Sequence, residues 1–90
     1  MRQDEKKPLT NSQIRAARAL LGWTANELSR QSAVSLRTIQ RAELQETSMT
    51  AANDLAVRRS LEAAGVEFID ENGGGPGVRL KKRTRPKSSK

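Results

Sequence analysis

Polar and apolar positions divide the chain into four helical stretches and a strand-like end. Ile14, Ala17 and Leu21 recur at the i, i+3, i+7 spacing of an amphipathic helix. Thr10 is placed to cap it, Gln13 stands at the capping-box position, and Leu9 and Ile14 take the staple positions. Gly22 is the stop, so the spacing predicts a helix over Asn11–Leu21. The same grammar repeats at once. Thr24 is a second N-cap with Glu27 three residues on, and Trp23 and Leu28 make the staple. This helix runs from Ala25 to Gln31 with Leu28 inward. Ala33 and Val34 form a tight turn, and Ser35 caps a third helix ending near Glu43. Ile39 and Ala42 are its inner stripe, which leaves Leu36, Arg37, Gln40 and Arg41 pointing outward. After a polar loop over 44–49, Thr50 caps a fourth helix, from Ala51 to about Ala64, with Val57, Leu61 and Ala64 as its stripe and Gly65 as its stop. Leu55 falls off that stripe.

The period changes at Val66. VEFI and VRL (Val78 to Leu80) are β-prone runs, and DENGGGPG between them has the residues of a hairpin loop. Val66 and Phe68 would share a face with Val78 and Leu80. Two such short strands are not stable alone in water. They must lie on the helices or pair with a second subunit, and pairing across a homodimer is the expectation. A phosphate-cradling reading of GGGPG fails on context, because such loops open a helix and here a strand-like run follows. The expected fold is mainly α: a small bundle of four to five helices followed by a short C-terminal β-hairpin. Residues 1–8 form a disordered N-terminus, 9–65 the helical domain, 66–80 the hairpin, and 81–90 a disordered basic tail.

Composition narrows the chemistry. Ninety residues bury a thin core, so dimerisation would help. With no cysteine and no histidine, disulfides, thiolate and imidazole catalysis and the usual zinc sites are absent from this sequence. The carboxylates nearest the turn, Glu27 and Glu43, both have structural explanations, so an enzyme is the poorest reading and no cofactor is expected. No apolar run exceeds three residues, too short to span a membrane, and a cytoplasmic, nucleoid-associated protein is expected. The net charge of +7 lies wholly in the last segment: residues 1–78 carry 10 basic and 10 acidic residues, and 79–90 carry 7 basic and none acidic. Such a tail is either a solubilising end or a flexible arm for phosphates. Trp23 suits core packing better than base stacking, since Phe68 is the only other aromatic.

The stretch from Thr24 to Glu43, TANELSRQSAVSLRTIQRAE, resembles the helix-turn-helix of the Xre/Cro family, which includes the lambdoid phage repressors. The resemblance covers roughly residues 12–65. It implies a lambda-repressor-like domain that lays its second motif helix in the major groove of double-stranded DNA, usually as a two-fold dimer regulating transcription. Leu36, Arg37 and Arg41 match the family's base-reading places, and Arg18 and Glu43 match a pair that joins the first helix to the end of the reading helix. Ala33 stands where the family's turn usually carries glycine, Leu44-Gln45 replaces a glycine beyond the reading helix, and Ala25 stands where many relatives have a phosphate-binding glutamine. On chemistry, Arg37 can reach guanine bidentately, Leu36 can favour only a thymine methyl, and Gln40 and Arg41 extend the same face. Thr24, Ser35 and Thr38 are placed for phosphates or base edges. Arg79, Lys81, Lys82, Arg83 and Arg85 would add electrostatic anchorage. The rival reading is an antitoxin-like module of a toxin–antitoxin pair, in which the β segment or tail binds a protein and DNA reading is secondary.

Overall fold

The computed structural model describes residues 8–45, 49–70 and 73–81, with Gln45 described by its backbone only. The expectations for 1–7, for the loop residues 46–48 and for the tail beyond Lys81 lie outside the described residues. Helices α1 (Asn11–Leu21), α2 (Ala25–Ser32), α3 (Leu36–Gln45) and α4 (Ala51–Ala63) precede strands β1 (Val66–Ile69) and β2 (Gly77–Leu80). The described residues therefore form a small, mainly helical domain with four helices and an antiparallel hairpin that follows them.

Local chemistry sets the helix starts. The Thr10 hydroxyl accepts from the Gln13 N–H at 3.0 Å and the Gln13 carbonyl oxygen accepts from the Thr10 N–H at 3.1 Å, a complete capping box. Gly22, at φ 71°, ends α1 as expected. Thr24 caps α2 through the Glu27 N–H, but the reciprocal half of the expected box is not made. The Glu27 carboxylate instead binds Arg30 and Gln31 one turn on, where charged and amide donors outcompete a single backbone N–H. Thr50 caps α4 through Asn53. Helix α3 continues two residues past Glu43, so Leu44 and Gln45 are helical rather than loop. No glycine stops it there, and leucine and glutamine are good helix formers.

Ile14, Ala17, Leu28, Val34, Ile39, Ala42, Val57, Leu61 and Val66 form the buried core, with Leu9 closing one end and Trp23 packed against it. Leu55, off the stripe, stays 45% exposed. The strands pair Val66 with Leu80 and Phe68 with Val78, the facing anticipated from the alternation. The hairpin lies on α1 and α4 of its own chain. Gln13 pins it there: the amide that completes the cap with its oxygen donates with its nitrogen to Gly77 O at 3.0 Å and Ile69 O at 3.5 Å. Lys81 N–H donates to Gly65 O at 2.8 Å, which sets the phase of the ladder. Glu67 and Arg79 thus form a hydrogen-bonded pair, and the N–H and C=O groups of Val66, Phe68, Val78 and Leu80 face outward along the two edges.

Helix α4 also buries a charge next to its apolar stripe: Arg58 is only 5% exposed. Its guanidinium lies 5.2 Å from the centre of the Phe68 ring and 3.9 Å from Glu62. Position 58 flanks the Val57/Leu61 stripe where the hairpin comes down, and the ring face offsets the burial of the charge.

On the hairpin's outer face, Arg79 donates to both carboxylate oxygens of Glu67, at 3.1 and 3.3 Å. These hydrogen bonds, and the positive charge behind them, hold the Glu67 carboxyl below its ordinary value of 4.5. Because the folded pKa is depressed, the pair stabilises the hairpin above the ordinary carboxylate value and is lost as pH falls through the folded one. Replacing Arg79 with glutamine should move the Glu67 titration upward by NMR and leave Glu27 where it is. No movement would mean the pair does not persist in solution.

Candidate nucleic-acid interface

The α2–turn–α3 unit is fastened by serines. Ala33 turns the chain at φ 64°, in the left-handed region, and its N–H donates to Ser29 O at 2.8 Å. The Ser29 hydroxyl donates to Val34 O at 2.6 Å. Buried Ser32 donates its hydroxyl to Leu28 O at 2.8 Å and accepts from the Val34 N–H at 3.2 Å. Val34, thus held, drops into the core as the plug between the two helices. The serines' part could have been suspected only from their short side chains at a helix end, where they bond backbone readily.

Left-handed backbone at a residue with a Cβ costs roughly 1–2 kcal/mol, whereas glycine's extra unfolded-state freedom costs about 0.5–1 kcal/mol. Ala33→Gly is therefore expected to stabilise the fold slightly, by about 0.5–1 kcal/mol, raising the melting temperature a few degrees. A lower melting temperature on thermal unfolding would refute this account of the turn.

Ser35 starts α3, its oxygen accepting from the Thr38 N–H at 3.1 Å and its hydroxyl donating to the Thr38 oxygen at 2.9 Å. Ile39, Ala42 and Glu43 face inward. Arg37, Gln40 and Arg41 share the exposed face, and among the described residues none of the three side chains forms a hydrogen bond or ion pair. Leu36, expected to point outward, is half-buried. Leu44 continues the exposed stripe one turn beyond Arg41 and is 75% exposed, a position missed when that stretch reads as loop.

Arg18 of α1 and Glu43 of α3 form an ion pair. Arg18 donates through Nε and Nη2 to the two oxygens of Glu43, both at 2.8 Å, and through Nη1 to Trp23 O at 2.9 Å. The Glu43 side chain is 6% exposed and that of Arg18 22%. The Glu43 hydrogen bonds raise the Arg18 pKa, desolvation lowers it, and the charge attraction raises it further, with a net upward shift. Asn11 adds a third tie, its side-chain amide donating to Glu43 O at 3.2 Å. Sequence spacing gave no sign of Asn11's part.

The predicted phosphate-facing residues fall into separate groups. Thr24 is exposed at the α2 N-terminus, where unpaired first-turn N–H groups and the helix dipole favour an anion. Ser35 and Thr38 sit at the α3 start. Arg79 and Lys81 are exposed on the hairpin, Arg79 already engaged by Glu67. Lys82, Arg83 and Arg85 lie outside the described residues. No protein-family model matches the chain, and no curated protein matches it either. Among the described residues no helix is long and apolar enough to cross a membrane.

Proposed function

We propose that this chain is a sequence-specific double-stranded DNA-binding transcriptional regulator of the Xre/Cro type, with a lambda-repressor-like helical domain that lays α3 in the major groove. The observation that carries the reading is a helix clamped by a bidentate, largely buried ion pair while its outer face offers unengaged Arg37, Gln40 and Arg41. A loosely held helix could not keep donors aligned with base edges. Arg37 reads guanine, Arg41 and Gln40 read or clamp the next positions, and the α2 N-terminus with Thr24 meets a phosphate.

Dimerisation through the hairpin belongs to the same proposal. The edge of β1 suits a two-fold pair: centred on Phe68, it sets Phe68 against its copy and Glu67 against Ile69, with no like charges opposed.

Selecting bound fragments from a random DNA pool, at stated salt, tests the reading. The expected product is a two-fold symmetric site whose half-sites lie about one helical turn, ~34–36 Å, apart. Failure to enrich any sequence, with amide shifts absent from α3 on adding duplex, would overturn it.

A further inference from the structure

The antiparallel phase leaves the N–H and C=O groups of Val78 and Leu80 facing away from β1, and none has a backbone partner among the described residues. Beside this edge runs a groove of about 460 Å³, lined by Thr10, Ser12, Gln13 and Ala16 with Pro76, Gly77 and Val78. Small side chains floor it, so an extended backbone can approach. On the inner row, Leu80 is 48% exposed, an apolar side chain at the end of the sheet with room to be covered. On the outer row, Arg79 and Lys81 stand two residues apart and both are exposed.

We propose that the free edge of β2 and the groove beside it take up an extended acidic segment of another protein, added as a third strand. Backbone bonds to Val78 and Leu80 supply the affinity, and alternate side chains supply the choice. Apolar residues of the added strand cover Leu80 and Val78. Acidic residues at alternate positions face Arg79 and Lys81, so Arg79 lies between Glu67 and a second carboxylate.

A second copy of β2 does not fit this edge. Pairing centred on Arg79 opposes two arginines, and pairing centred on Leu80 opposes Arg79 to Lys81. Pairing centred on Val78 sets Leu80 against Pro76, which has no N–H to give. Short length, proline and basic residues are the devices that keep an edge from self-association, and none of them repels an acidic strand.

The test uses the full chain without DNA, so its outcome is independent of the regulator reading. A short peptide alternating glutamate and valine is titrated by NMR, with its lysine–valine counterpart as control. The acidic peptide should shift the Val78 and Leu80 amides saturably and slow their hydrogen exchange, and the basic one should do neither. Leu80→Pro removes one edge N–H not used by β1 and should weaken binding roughly fivefold, the worth of one backbone hydrogen bond. Unchanged Glu67 and Arg79 shifts would certify that its hairpin is intact. Lys81→Glu should reduce acidic-peptide binding and admit the basic peptide. Shifts confined to α3 without protection at β2 would mean charge attraction alone and overturn the proposal. So would the absence of saturable binding, or concentration-dependent protection of Val78 and Leu80 with no peptide, the sign of self-pairing.

Discussion

Replacing Glu43 with alanine should lower the melting temperature by roughly 10–20 °C, the largest effect expected of any single change here. The carboxylate is nearly sealed from solvent, so its removal strands a guanidinium among packed helices. Breaking a buried pair costs about 3–5 kcal/mol. Arg18 keeps 22% of its side-chain exposure, and water reaching it reduces the cost to roughly 2–3 kcal/mol. That is a large share of the total for so small a domain, whose whole stability is about 5–10 kcal/mol. A second variant separates stability from orientation. Arg18→Met with Glu43→Leu leaves no stranded charge and should recover most of the lost melting temperature, since apolar replacements of buried pairs are often neutral. If the pair sets the angle of α3, DNA affinity should stay reduced in this variant although the fold has recovered. A cost below about 0.5 kcal/mol for the alanine change would place the pair with ordinary surface ion pairs and end the lock account.

Arg37→Ala should abolish preference at one base pair while leaving non-specific binding nearly intact. A bidentate arginine–guanine contact is worth about 1–3 kcal/mol, so discrimination should fall by roughly ten- to a hundredfold at that position. Deleting residues 82–90 should do the opposite. It removes Lys82, Arg83, Arg85, Lys87 and Lys90, and should weaken binding to every duplex alike. If all five meet phosphates, the slope of log affinity against log salt should flatten by about 4.5. The two variants are to be measured across a panel of operator mutants at several salt concentrations. Indistinguishable profiles would mean that base reading and phosphate anchorage are not divided between α3 and the tail.

The helix starts were legible in the chain because capping is a local matter. Thr10, Thr24, Ser35 and Thr50 each bond an N–H within their own first turn, so residue spacing alone locates them. The hairpin's facing was legible for the same reason, since side-chain alternation has a period of two. Where two local partners competed, as at Glu27, spacing could propose the cap but not decide the winner. The end of α3 was misplaced because nothing at Leu44 or Gln45 marks a stop.

What the sequence by itself determined, then, is the order of elements and the stripe of Ile39 and Ala42 that turns Arg37, Gln40 and Arg41 outward. Only the tertiary structure decided that Arg58 is buried against Phe68, that Gln13 serves cap and hairpin together, and that Asn11 ties α1 to the end of α3. These contacts join residues tens of positions apart. Their geometry depends on how the hairpin and helices come down on one another, which no periodicity along the chain encodes.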